Sequence, residues 1–128
     1  MSRTSSGGKT ELEVPQIVLS DKKGEHRGVQ GSYCWDGIAV DYQAPSTRTD
    51  LHKKLPVEKE ARFTFRMVGY AKPEKFHVAL FSKDKLMLSR SVKREMKLEV
   101  PKGTYVLGVQ ASWAGKGDLS NLFLVEVL

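Results

Sequence analysis

The sequence predicts an all-β domain, a two-sheet antiparallel sandwich of about eight strands. Three observations lead there. Apolar and polar residues alternate at period two in the best-patterned segments, which is the rhythm of a half-buried strand. Those segments are short and are separated by Gly, Pro and Asp turn chemistry. No segment carries a convincing amphipathic-helix pattern.

The elements follow in order. Residues 1–9, MSRTSSGGK, read as a flexible tail, and residues 10–128 as one domain. The tail lacks the apolar core of a secretory signal. From Thr10 to Leu19 the pattern suits a first strand, with Pro15 favouring an edge or a strand switch. Ser20 to Glu25 is a polar turn. His26 to Trp35 reads as a strand whose interior Gly28 and Gly31 mark a bulge or a close backbone approach. Asp36-Gly37 is a hairpin signal, because both residues tolerate positive φ, and Ile38 to Tyr42 is the return strand.

Gln43 to Glu60 is the longest polar stretch and is expected to be a functional loop. Glu60 to Val68 is the clearest strand: Ala61, Phe63, Phe65 and Met67 point one way, and Arg62, Thr64 and Arg66 the other. Phe76 to Ser82, Leu86 to Val92, Met96 to Val100 and Thr104 to Trp113 are further strands. The turns between them are at Lys72–Lys75, Lys83–Lys85 and Pro101–Gly103. Ala114 to Asn121 reads as a Gly-rich turn, and Leu122 to Leu128 as the last strand.

Composition narrows the function classes. A chain of 128 residues with 28% charged and 40% hydrophobic residues can bury a core without staples. One cysteine, Cys34, excludes an intramolecular disulfide. No apolar run approaches the roughly 20 residues of a membrane-spanning helix. The net charge of +6 is uneven: residues 1–64 carry ten Lys/Arg against nine Asp/Glu, and residues 65–128 carry eleven against six. A basic excess suits an anionic partner, and it equally serves solubility.

Two segments carry a resemblance. Pro101-Lys102-Gly103-Thr104-Tyr105-Val106-Leu107-Gly108-Val109 is similar to the E–F corner of immunoglobulin-like and fibronectin-type sandwiches. The resemblance implies a Tyr105 hydroxyl bonded back to upstream backbone. Gly31-Ser32-Tyr33-Cys34-Trp35, followed by Val40-Asp41, resembles small β-sandwich domains of Gram-positive cell-envelope lipoproteins. Tyr105 to Trp113 and the final strand containing Phe123 would correspond to that group's C-terminal half. Members often carry a second Cys near the Asp; here that region is Ile38-Ala39-Val40, so the disulfide the resemblance implies is missing. The resemblance implies an envelope location and no particular reaction.

Candidate site residues were weighed against structural roles. Cys34, His26, His52 and His77 do not have the ligand spacing of a copper or zinc site, and no cofactor fingerprint is present. Cys34, inside a strand, is expected to be a small buried hydrophobe, and Asp36 to serve its turn. Trp35 and Trp113 are expected to fill the core, leaving Tyr42 as the exposed aromatic. The leading expectation is a non-enzymatic module that recognises a protein or cell-envelope component through Tyr42, Arg48, Asp50 and His52. The alternative is an electrostatic binder of nucleic acid or anionic lipid using the basic 83–102 segment, with Arg90, Lys93 and Lys97 on one exposed face. That segment lacks the stacking aromatics of sheet-based nucleic-acid binders. A hydrolase using a Ser or Cys is the third reading.

Overall fold

In the computed structural model, residues 14–41 and 50–128 are described. Their strands are β1 (Gln16–Asp21), β2 (Gly24–Arg27), β3 (Val29–Gln30), β4 (Tyr33–Trp35), β5 (Ile38–Val40) and β6 (Lys54–Val57). They continue with β7 (Arg62–Val68), β8 (Phe76–Ser82), β9 (Lys85–Val92), β10 (Glu95–Lys97), β11 (Gly103–Trp113) and β12 (Gly117–Val127). No described residue is helical.

The strands form two packed sheets, a β-sandwich. The larger runs β9-β8-β11-β12-β4-β5, with β3 and β6 also pairing β12, and the smaller runs β10-β7-β1-β2. Pairing is antiparallel except between β6 and β12. The period-two rhythm now has its cause. Ile17, Leu19, Phe63 and Phe65 of the small sheet face Val78, Leu80, Leu107, Val109, Phe123 and Val125 of the large one, and all are buried. In β7, β8, β11 and β12 alternate residues supply this core, and the intervening ones are more exposed.

Several elements differ from expectation. Twelve strands are described rather than about eight, because His26 to Trp35 divides into three and the long polar stretch contains β6. In β6, Pro56 lacks an N–H, and β6 tolerates it by pairing with β12 alone among the described strands. The first strand, β1, lies between β7 and β2; Pro15 stands just outside it, so its missing donor costs no ladder bond. The last strand begins at Gly117, not Leu122. Pairing with β11 from Gly103↔Val127 to Trp113↔Gly117 draws Asp118, Ser120 and Asn121 into the ladder despite their turn propensity.

Two of the expected turns are present as read. Asp36 and Gly37 take φ of 53° and 81°, joining β4 to β5. Lys83 and Asp84 take φ of 48° and 66°, joining β8 to β9. Tyr105 is buried, and its hydroxyl donates to the Pro101 carbonyl at 2.7 Å, which closes the corner before β11.

Candidate functional site

A cleft arises where the chain changes sheets. Arg27 ends β2 opposite Val18 in the small sheet, and Val29 opens β3 opposite Leu122 in the large one. Gly28 makes the crossing, and a Cβ there would overlap the Leu122 carbonyl oxygen. Farther along the same edge of β12, β6 begins with Lys54 opposite Leu124. The chain segments around β3 and β6 diverge on either side of Phe123 and leave a cleft of about 400 Å³.

Its apolar floor is Val29, Leu51, Leu55 and the Leu122–Leu124 stretch; Glu25, His26 and Arg27 form one wall, and Asp50, His52, Lys53 and Lys54 the other. Much of the first wall is internally paired. Arg66 donates to Glu25 at 2.6 Å, and His26 Nε2 lies 3.0 Å from Asp21 Oδ1. Arg27 reaches only Gln16 Oε1, at 3.3 Å. Among the described residues, Arg27, Lys53 and Lys54 have no carboxylate partner. The cleft therefore combines an apolar floor with three cations that form no ion pair among the described residues, beside the carboxylate of Asp50.

Beneath this wall, the Asp21 carboxyl titrates below its ordinary value. Desolvation pushes it up, but hydrogen bonds from His26 and the Lys23 amide, with the charges of both residues, outweigh that push.

The basic segment is arranged differently from expectation. Arg90 belongs to the large sheet and Lys97 to the small one, so they meet across the open seam of the sandwich rather than on one face. Arg90 Nη2 donates to the Lys97 carbonyl at 3.3 Å. With Arg62 and Glu95 they line a groove of about 290 Å³. Lys97 Nζ lies 2.9 Å from Glu60 Oε1. That hydrogen bond and charge lower the Glu60 carboxyl and raise the Lys97 ammonium. Lys93 is exposed at the turn between β9 and β10.

Three aromatic residues gather at one end. Trp35 is buried and Trp113 half-buried, so Trp35 fills the core as expected and Trp113 only partly does. Together with Tyr70 they form an edge-to-face trio with centroids 5.0–5.4 Å apart. Lys116 Nζ lies over the Trp35 and Tyr70 rings at 5.2 and 5.5 Å, and 2.8 Å from Asp36 Oδ1. The hydrogen bond to Asp36 raises the Lys116 ammonium. The rings pack on one another and under this lysine, although Tyr70 stays 43% exposed, so the trio acts as a partly open cap.

Cys34 is exposed, not buried, because Trp35, its neighbour on β4, takes the inward position. Ser89 Oγ and His77 Nε2 lie 2.9 Å apart on the open outer face of the large sheet, and neither lines the clefts described above. Among the described residues, no group of three or more His, Cys, Asp or Glu side chains could hold a metal ion, and no helix is long and apolar enough to cross a membrane.

Of the residues expected to bind, Asp50 and His52 come together in the main cleft, and Arg90 and Lys97 in the seam. Tyr42 and Arg48 lie outside the described residues. Sequence reasoning passed over Arg27, Lys53 and Lys54, although the Lys53-Lys54 pair directly follows His52. It also passed over Tyr70, whose place beside two tryptophans has no local signal. Comparisons with known proteins matched no family model, no curated protein and no solved structure.

Proposed function

We propose that this chain is a non-catalytic binding module that recognises a protein or cell-envelope component in the cleft between β2–β3 and β6. The observation that carries the reading is the three cations Arg27, Lys53 and Lys54, without an ion pair among the described residues, beside the apolar floor of Leu51, Leu55 and Leu122–Leu124. Such a site suits an extended anionic segment that has some apolar surface. Cations steer its approach, and the floor supplies contact area. The Gly31–Trp35 resemblance to envelope lipoprotein domains supports the location, and the Tyr105 corner supports an immunoglobulin- or fibronectin-like form of the sandwich.

The test places a photo-crosslinking residue at His52. An adduct should form with an anionic partner and should be lost when Arg27, Lys53 and Lys54 are all replaced by Ala. High salt should weaken it. An adduct of equal yield in the triple variant would overturn the reading. Within the 83–102 segment, Arg90 and Lys97 give the electrostatic alternative little support, because Lys97 is paired with Glu60 and Arg90 is bonded to backbone.

A further inference from the structure

The outer face of the large sheet holds an apolar band that local sequence does not reveal. The registers place Leu86, Phe81, Val106 and Leu124 side by side across four strands, ending at Lys54. The next row reads Ser89, Ala79, Gly108, Leu122 and Val29. Inward-facing neighbours of these residues, such as Leu80, Leu107 and Val125, form the core, whereas Phe81, Val106, Leu122 and Leu124 are not part of it. Over Gly108, Leu122 Cδ2 and Phe81 Cε2 approach from opposite sides, 3.4 and 3.9 Å from where a Cβ would stand. The glycine thus lets the two rows meet as one surface.

The band ends in the β8–β9 hairpin. There the ladder slips between Leu86 and Leu88, a bulge that interrupts alternation. As a result two consecutive apolar side chains are exposed, Leu86 at 53% and Met87 at 46%. Lys83, Asp84 and Lys85 immediately precede them. Glu126 stands in the polar row beyond the band, opposite Thr104.

We propose that this hairpin tip and the apolar band dock onto the surface of an anionic lipid bilayer. Leu86 and Met87 enter the headgroup boundary, while Lys83 and Lys85 extend toward lipid phosphates with their stems along the apolar surface. Lys54, at the far end, gives the band a cation at both limits. A uniformly anionic surface satisfies both ends at once, and the net charge of +6 adds to the attraction. Face-to-face pairing with a second copy brings lysine ends together, and nucleic acid offers no apolar counterpart for Leu86 and Met87.

The experiment is co-sedimentation of the full chain with vesicles of equimolar phosphatidylglycerol and phosphatidylcholine, beside vesicles of phosphatidylcholine alone. The wild-type chain should bind the anionic vesicles only. Leu86→Glu with Met87→Glu should lower partitioning about tenfold or more. Lys83→Glu with Lys85→Glu should do the same through charge. Both pairs are exposed, and circular dichroism should show unchanged strand content. No binding by the wild type, equal binding to both vesicle types, or unaltered binding by the Leu86/Met87 variant would overturn the proposal. So would low-salt binding to a nucleic-acid duplex that displaces the vesicles and survives the Leu86/Met87 substitutions. The same variant should keep its His52 crosslink, so failure here leaves the cleft reading standing.

Discussion

Asn121 shows how much one polar residue can do in this core. It is 1% exposed on β12, and its Oδ1 accepts the Ile17 backbone N–H of β1 at 2.8 Å. That bond ties one sheet to the other. Replacing Asn121 with Ala strands a buried donor and leaves a gap, so stability should fall by about 2 to 4 kcal/mol. Urea unfolding at neutral pH measures it, and a loss within error would show that β1 is held by packing alone. Asp21 belongs to the same scale. Its side chain is 7% exposed and its folded pKa lies below the unfolded value near 3.8. Its contribution is therefore full above that value and is lost as pH falls through the folded pKa. Asp21→Asn should flatten the acid limb of the stability–pH curve below about pH 4. An acid limb unchanged from wild type would assign that limb to other carboxylates.

At the scale of elements, the crossing from β2 to β3 decides where the cleft lies. Gly28 has the Leu122 carbonyl in the space a Cβ would take, and backbone at that contact yields little. Gly28→Ala should cost about 1 to 3 kcal/mol and displace β3 from β12, which amide exchange at Val29 and Gln30 would report. Normal protection there would mean that the crossing has slack. The interior glycines of His26–Trp35 were legible as sites of close approach, since glycine in a strand needs such a reason. That the approach is a change of sheet was not legible, because Leu122 lies far along the chain. The same holds for β6: its Lys-Leu-Pro-Val run carries weak strand chemistry, and a parallel partner at the C-terminus supplies what propensity lacks.

At the scale of the whole molecule, the larger sheet presents two features on one side. The basic cleft lies where β3 and β6 share the edge of β12, and the apolar band runs from Val29, Leu122 and Leu124 at that cleft to the β8–β9 hairpin. The two proposals above share Val29, Leu122, Leu124 and Lys54, and the Leu86/Met87 variant, which lies outside the cleft, separates them. The aromatic cap of Trp35, Tyr70 and Trp113 lies at the turns β4–β5, β7–β8 and β11–β12. Its edge-to-face packing and Lys116 partly close that end of the sandwich.

The sequence by itself determined the fold class, the strand faces of Glu60–Val68, and the Asp36-Gly37 and Lys83-Asp84 turns. All of these follow from local alternation and backbone preference, which neighbouring residues decide among themselves. Only the tertiary structure decided that Arg90 and Lys97 face each other across a seam, that Cys34 points outward, that Asn121 joins the sheets, and that His52 and Arg27 line one cleft. These depend on register between strands distant in the chain, and register is set by how two apolar faces fit, a property no single segment contains.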